Sequence, residues 1–471
     1  MQPIIDIGDR AYGSTPAFVL RAPKEGRVHR QEERPKNPLR WIFTAALSLF
    51  VLCVLLPSFA SWAQTASDNE GVPERAPSDL LPPELVAGSN FHVLAPVQGD
   101  GLMYHFVIAS SFGEFKAYGH TALAIRVQEL AALGELAKKS DVELVAGGVS
   151  RGIEGEVQTG VKVLTHPVST VAGIPKGISN LFNGYAAKTQ EALAEANKVG
   201  SSSAGGSRTA KSASTQVEAG AKKYAERYLG VTAAERGWYR RLRVDPYTDN
   251  TVLRAAIRRA ARKEAIGSFG IKFAGIPAIP GMALTQRAVD AIYNEDPAAL
   301  RARTRKTLAG YGLTSAEIDN WLNAPLLSPT RQVVLLSAAE QLDGVEDRAE
   351  LFRHSLGLTS DEEAQVYLNS TSVLLRAHKT HPLQALLPNV RLPAGKLANG
   401  GLVVCGAFEA IYWTEAVARD EEQLRQSLET AGSGAARELW IIGSLSDLAR
   451  NWLRERGWEL HELAEETPTP R

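Results

Sequence analysis

The chain has 471 residues, of which 44% are hydrophobic, so it has enough apolar content to build folded cores and is not an intrinsically disordered protein. A chain of that length corresponds to about two to four domains. The formal net charge is zero, with 52 basic and 52 acidic residues. That balance conceals an asymmetry along the chain, because residues 1–40 carry an excess of basic side chains.

Residues 41–63 contain no charged side chain. The basic N-region before them, residues 1–40, is predicted to be disordered. The apolar run that begins at Trp41 and ends before Pro57 is long for a signal peptide and short for a membrane span. Small residues stand three positions and one position before a cut after Ala63, which is the spacing that signal peptidase recognises. We therefore predict a cleaved signal peptide, with a retained transmembrane anchor as the alternative. A true start at Val28 would shorten the long N-region.

The charges on the two sides of this segment predict its orientation. Residues 1–40 hold eight Lys or Arg, whereas residues 64–85 hold only Arg75. Positive charge stays on the cytoplasmic side. We therefore expect residues 64–471 to be extracytoplasmic, either in the periplasm or anchored to the inner membrane. This exported part is nearly neutral, with 44 basic and 47 acidic residues.

The first folded unit is predicted over residues 89–146, after a proline-punctuated tether at residues 64–88. Alternating apolar residues from Phe91 to Tyr118, broken by glycine-containing turns, predict a small β-meander. From Leu123 to Leu136 the apolar spacing becomes helical, which predicts a helix packed on that sheet.

Residues 147–198 alternate glycines with apolar residues at helical spacing, which predicts glycine-rich amphipathic helices. Gly148 to Gly152 match the nucleophile-elbow pattern around Ser150, but the helices and linker that follow lack the parallel sheet that this catalytic motif needs. A low-complexity stretch rich in Ser, Gly and Ala then predicts a flexible linker at residues 199–221.

A helical domain of about six or seven helices is predicted over residues 222–384. Its helix starts are marked by capping boxes at Thr232, Thr314 and Thr359, each followed three positions later by Glu. Proline after Asp296 and after Ser328 marks two further starts.

One face of this domain is predicted to be basic, because residues 222–264 hold twelve Lys or Arg against five acids. A basic face with aromatic neighbours suits an anionic surface, a lipid or an envelope polymer, and outside the cytoplasm no nucleic acid is expected. Six arginines are the candidate binding residues: Arg240, Arg241, Arg243, Arg258, Arg259 and Arg262.

The C-terminal region, residues 385–465, is predicted to be a small α/β domain. Strands are expected at residues 390–392, 402–408, 438–442 and 458–461, with helices at 413–430 and 446–456, and Asn399-Gly400-Gly401 as a hairpin turn. The ends of the strands, residues 406–413 and 443–446, would line any site, and Glu415 or Ser446 would be its reactive groups.

We predict no metal site and no cofactor, because His92, His105 and His120 lack ligand spacing and His378 and His381 are expected to be surface residues at a helix end. Cys405 lies in an apolar strand and is expected to be a buried structural thiol.

These patterns predict a mixed, predominantly α fold: an N-terminal β-meander plus helix, a central helical domain and a C-terminal α/β domain. The leading functional interpretation is a non-enzymatic scaffold or binding module of the cell envelope, with another envelope protein as a possible partner. The first alternative is a membrane-docking protein that uses residues 148–184 and 222–284. The second alternative is an enzyme with its site in the C-terminal α/β domain.

Overall fold

A computed structural model describes residues 68–139, 178–182, 221–222, 224–263, 284–432 and 434–463. In these ranges the fold is mixed and predominantly α, as the sequence predicts. None of the helices in the described ranges is long and apolar enough to cross a membrane. The predicted export segment, the glycine-rich segment 147–198 with Ser150, and the linker at 199–221 lie outside those ranges, except for residues 178–182 and 221. Residues 264–283 of the membrane-docking alternative lie outside them as well.

The N-terminal part is an antiparallel sheet followed by one long helix. Its elements are α1 (Pro77–Leu80), α2 (Pro83–Val86), β1 (Ala87–Gly88), β2 (Phe91–Val93), β3 (Gln98–Gly99), β4 (Tyr104–Ser110), β5 (Gly113–Tyr118) and α3 (His120–Lys139). The strand order is β1-β2-β4-β3, and β5 pairs with β4. In β4, Tyr104, Phe106 and Ile108 are buried because alternate side chains of a strand point to the same face. The predicted meander and helix are therefore confirmed.

The central part is helical, with eight α-helices described between residues 224 and 380 rather than the six or seven expected. They are α4 (Ala233–Leu242), α5 (Thr251–Lys263), α6 (Gln286–Asn294), α7 (Pro297–Gly310), α8 (Ser315–Leu322), α9 (Pro329–Gln341), α10 (Glu350–Ser355) and α11 (Asp361–Thr380). A short π-helical turn, Ala225–Leu229, precedes them.

Helix starts follow the predicted capping chemistry at four of the five sites. Thr232 and Thr314 form complete capping boxes, and Pro297 and Pro329 occupy the first turns of α7 and α9. The predicted box at Thr359 is wrong by one residue. Ser360 is the N-cap of α11, and its hydroxyl accepts a hydrogen bond from the amide of Glu363. The carboxylate of Glu363, rather than that of Glu362, accepts the amide of Thr359 at 2.7 Å.

The C-terminal part is a five-stranded sheet with helices. It comprises β6 (Leu383–Leu386), β7 (Ala394–Leu397), β8 (Leu402–Gly406), β9 (Ala410–Ile411), α12 (Glu415–Glu429), β10 (Arg437–Ile441), β11 (Ser444–Leu445), α13 (Asp447–Glu455) and β12 (Trp458–Glu462). The order is β12-β10-β8-β7-β6. Strands β8, β10 and β12 are parallel, and β7 is antiparallel to both neighbours. Helix α11 packs on β8 and β10.

The predicted strand at residues 390–392 is wrong. Those residues form a bend between β6 and β7, although Val390 and Leu392 are buried. Pro388 and Pro393 flank the segment, and proline has no amide hydrogen to donate to a sheet. The apolar pattern therefore indicated burial correctly and the strand incorrectly.

Hydrophobic packing crosses the boundaries between the three predicted parts. Leu102, Met103 and Tyr118 of the N-terminal part join the same buried cluster as the C-terminal strands. Phe182, from a short 3-10 turn at Ser179–Leu181, stacks on Phe408 with 5.5 Å between ring centroids. The described elements thus share continuous cores.

Candidate functional site

The predicted basic face is present on the outer side of α5. Arg258, Arg259 and Arg262 are exposed, whereas Leu253 and Ile257 on the opposite side are fully buried. Arg258 lies 3.6 Å from the carboxylate of Glu235. Three of the six predicted arginines therefore share one exposed helix face.

The other three arginines have contacts of their own around α4. Arg240 donates a hydrogen bond to the side chain of Asn294 at 3.0 Å. The guanidinium of Arg241 lies 5.8 Å from the ring centroid of Trp238. Arg243 is half-buried and ends α4 in the left-handed conformation, with φ 57°. Binding of these arginines to an anionic surface stays a prediction.

The strand ends of the C-terminal sheet, where a site was predicted, are covered by the N-terminal part. The amides of Glu409 and Tyr412 donate to the carbonyls of Leu102 and Gly101, both at 2.9 Å. Glu70 accepts the amide of Trp413 at 2.6 Å. The chain therefore occupies this crevice with its own backbone.

The two reactive groups predicted there have structural surroundings. Ser446 is the N-cap of α13; its hydroxyl accepts the amide of Ala449 at 3.0 Å and donates to the carboxylate of Glu70. Glu415 is exposed in the first turn of α12. Cys405 is buried as predicted, and burial raises the pKa of its thiol well above its usual value.

A polar cavity of about 160 Å³ lies between the N-terminal part and the helices. Its walls come from β5, α3, the π-helical turn, the loop before α5 and the first turns of α9 and α11. The charged lining residues are Lys116, Arg126, Glu129, Arg227, Asp245, Asp249, Arg331, Asp361 and Glu362, and Tyr118, Tyr228 and Tyr247 add aromatic surface.

Most of these charged side chains form ion pairs with one another. Arg126 donates to Glu129 and to Asp249, each at 2.7 Å. Burial alone would lower the pKa of Arg126, but the two carboxylates outweigh it and raise that pKa. Glu129 is 1% exposed and also accepts hydrogen bonds from Thr248 and Asn250. This network forms a fixed wall of the cavity.

A smaller set of groups is available to a ligand. Arg331 pairs with Asp361 at 2.7 Å, whereas Lys116, Arg227 and Glu362 have no ion pair within the part of the chain that the structure describes. The guanidinium of Arg227 lies 5.2 Å from the ring centroid of Tyr228. Asp245 also has no ion pair among the described residues. The lining charges available to a ligand there are therefore two cations and two carboxylates.

Asp245 is the cavity carboxylate with the most altered acidity. It accepts hydrogen bonds from the hydroxyl of Thr330 at 2.5 Å and from the amide of Tyr247 at 2.9 Å. Desolvation raises its pKa from 3.8 to about 6, although both hydrogen bonds oppose the shift and the nearby charge of Glu129 adds to it. A carboxyl that titrates near neutrality in a cavity is a functional candidate.

This raised pKa predicts a pH-dependent stability. The folded state holds the proton of Asp245 more tightly than the unfolded state, so its contribution is complete below about pH 4 and is lost as the pH rises through about 6. Asp245→Asn is expected to be more stable than the parent at pH 7 by up to about 3 kcal/mol, at about 1.4 kcal/mol per pKa unit. The difference should vanish at pH 4 in urea titrations.

The control for this prediction is Asp290→Asn, on the exposed side of α6. Its effect on the unfolding free energy at pH 7 should stay within about 0.5 kcal/mol, as for other surface substitutions. An Asp245→Asn protein that is less stable than the parent at pH 7 would contradict the assignment.

A second cluster lies at the edge of the C-terminal sheet. His381, Glu438 and His461 each place one potential metal-ligand atom within 4.8 Å of the others. His381, expected at the surface, is half-buried, and its Nδ1 lies 2.8 Å from Oε2 of Glu438. The sequence predicts no metal site, because these residues are far apart in the chain.

Comparison with protein-family models, characterised proteins and solved structures finds no match to this chain. No sequence motif marks the cavity, because its lining comes from separate segments between Lys116 and Gln365. The one partial signal was the run of polar and aromatic residues from Asp245 to Asn250.

Proposed function

We propose that the chain is an exported binding protein of the cell envelope that holds a small organic acid in the polar cavity. The ligand would carry a carboxylate together with hydroxyl or amino groups. The observation that supports this most is that two cations, Lys116 and Arg227, have no ion-pair partner among the described residues and lie beside a fixed wall of paired charges.

The size of the cavity favours a small ligand. Its volume of about 160 Å³ is below the range of about 300–1,000 Å³ found for pockets of drug-sized molecules. A sugar acid, hydroxy acid or amino acid is therefore a better match than a polymer.

The charges of the cavity favour a carboxylate. Arginine offers two parallel N–H donors that match a carboxylate, and Arg227 is the lining arginine with neither an ion pair nor a side-chain hydrogen bond among the described residues. Glu362 and Asp245 supply acceptors for the hydroxyl or amino groups of the same ligand.

Binding without a reaction agrees with how the other groups are used. Glu129, Asp249 and Asp361 already hold arginines. Export is supported by the charge-free segment 41–63 and the basic residues before it. These observations support an envelope binding module with the polar cavity as its site.

The test is calorimetry with matched ligand pairs that differ in the carboxylate: glucuronate with glucose, and alanine with alaninamide. We expect at least one acid to bind at least tenfold more tightly than its neutral partner. Arg227→Gln should weaken that acid about 10- to 100-fold, because a hydrogen bond to a charged group contributes about 1.5–3 kcal/mol.

Arg259→Gln is the matched control, since Arg259 is exposed on α5 and does not line the cavity. It should leave the affinity unchanged. Equal binding of acids and neutral partners, or an effect of Arg259→Gln without one of Arg227→Gln, would contradict the proposal.

A further inference from the structure

We infer that His381, Glu438 and His461 form a binding site for a divalent transition-metal ion of the zinc type. This site is separate from the polar cavity, because none of its three residues lines that cavity.

The fold brings the three residues together from distant parts of the chain. His381 is the C-cap of α11, the helix that packs on β8 and β10. In the parallel pair of β10 and β12, Glu438 is in register with Glu459, and Trp440 with His461. Residues two apart on a strand share a face. Glu438, Trp440 and His461 therefore lie on one face, which His381 approaches from the helix end.

The distances are close to those of a tetrahedral site. Oε2 of Glu438 lies 2.8 Å from Nδ1 of His381 and 3.5 Å from Nε2 of His461. Ligand atoms placed tetrahedrally at 2.0–2.1 Å from zinc are separated by about 3.3 Å. All three ligand atoms lie within 4.8 Å of one another. The two imidazole nitrogens therefore need to approach by at most about 1.5 Å to reach the tetrahedral separation.

Nε2 of His461 is buried and makes no hydrogen bond with the residues that the structure describes. Carboxylate oxygens of Glu438 and Glu459 lie 3.5 and 3.4 Å from it, within the range of an ion pair. A buried polar atom without a hydrogen bond costs free energy, and a metal ion held between this nitrogen and a carboxylate would remove that cost.

Trp440 orients the carboxylate of Glu438 and the imidazole of His461. Its Nε1 donates to Oε2 of Glu438 at 2.8 Å, and its ring stacks on that of His461 with 4.3 Å between centroids. Such outer partners orient the ligands of metal sites. Trp440 is therefore also a reporter of occupancy.

The ligand types define the metal. Two imidazoles and one carboxylate suit zinc, cobalt, nickel or copper rather than magnesium or calcium, which take oxygen ligands. The fourth ligand is either water or the exposed Glu459, whose Oε1 lies 3.4 Å from Nε2 of His461. His381 and His461 are half-buried, so an ion has access.

The experiment uses the full chain, purified with an affinity tag free of histidine and stripped with a chelator. Titration with zinc chloride in a calorimeter is expected to show one tight equivalent. His461→Ala and Glu438→Gln should each weaken it more than about 100-fold, since loss of an outer partner alone costs about 10- to 100-fold. His92→Ala, at an exposed position on β2, should change nothing.

A second measurement needs no variant of a ligand. X-ray absorption of the zinc complex of the parent chain should show two imidazole ligands. Copper should quench the tryptophan fluorescence of the parent chain, and the quenched component should be missing in Trp440→Phe. The inference is overturned if no zinc binds, if His92→Ala removes the tight equivalent, or if binding is unaffected by both ligand variants. A site with fewer than two imidazoles overturns it as well.

Discussion

Glu129→Ala is expected to lower the free energy of unfolding by about 3–5 kcal/mol, because it removes one partner of a buried ion pair and leaves Arg126 with Asp249 alone. Glu129 is 1% exposed and accepts hydrogen bonds from Arg126, Thr248 and Asn250. Its removal leaves these donors short of an acceptor in the wall of the cavity. Urea unfolding at pH 7 gives the difference.

Two further variants make this result specific. The first is Glu135→Ala. Glu135 lies on the same helix, and its carboxylate is partly exposed and pairs with Lys138 at 2.9 Å. Its effect should stay within about 0.5 kcal/mol, as for other surface substitutions. Glu129→Gln keeps the shape and one acceptor oxygen and should fall between the two. A Glu129→Ala protein within about 1 kcal/mol of the parent would show that the network does not stabilise the fold.

Gly443→Ala is expected to have an effect at least as large, with a loss of more than about 4 kcal/mol, the upper end of what single substitutions do. A methyl group at this position would overlap the backbone of Glu409. That backbone cannot move freely, because the amides of Gly443 and Ser444 donate to the carbonyls of Phe408 and Glu409, at 2.9 and 3.3 Å.

A displacement of Glu409 would also disturb the N-terminal sheet. The carboxylate of Glu409 accepts the amide of Tyr104 at 3.3 Å and that of His120. We therefore expect Gly443→Ala to expose the N-terminal strands to protease as well as to shift the urea midpoint. Gly71→Ala is the control, since no atom lies within 4 Å of the added methyl group. Equal stability of the two variants would contradict the close packing at Gly443.

Local chemistry explains why much of the fold was predictable from the sequence. The hydroxyls of Thr232 and Thr314 cap helices because a side-chain oxygen satisfies amides that have no partner in the helix. Asn399-Gly400-Gly401 joins β7 to β8, and Gly400 takes the positive φ of 89° that such a turn favours. Each of these signals lies within a few residues of the structure it predicts.

The sites were not predictable in this way, because they depend on contacts between distant residues. His381 and Glu438 are 57 residues apart, and Arg126 and Asp249 are 123 residues apart. Neither pair has a spacing that identifies a ligand set or a salt bridge. The count of basic residues predicted the arginines of α5. It could not show that Arg126 and Arg331 form ion pairs, whereas Arg227 forms none with the residues that the structure describes.

At the C-terminal crevice, a site was predicted from the sequence, but contacts with a distant part of the chain cover it. The general rule for parallel sheets correctly located the strand ends at residues 406–413 and 443–446. The sequence could not show that the carbonyls of Gly101 and Leu102 accept hydrogen bonds from the amides at those ends. A position that suits a ligand in an open sheet is here used to join two parts of the chain.

A crystal structure of the chain grown with the tightest-binding acid from the matched pairs tests most directly whether the polar cavity binds a small organic acid. We expect electron density for the acid inside the polar cavity, with its carboxylate against the guanidinium of Arg227 and its hydroxyl or amino groups facing Asp245 and Glu362. Density for the acid on the arginines of α5, or an empty cavity in crystals saturated with the acid, would contradict the assignment of this cavity as the binding site.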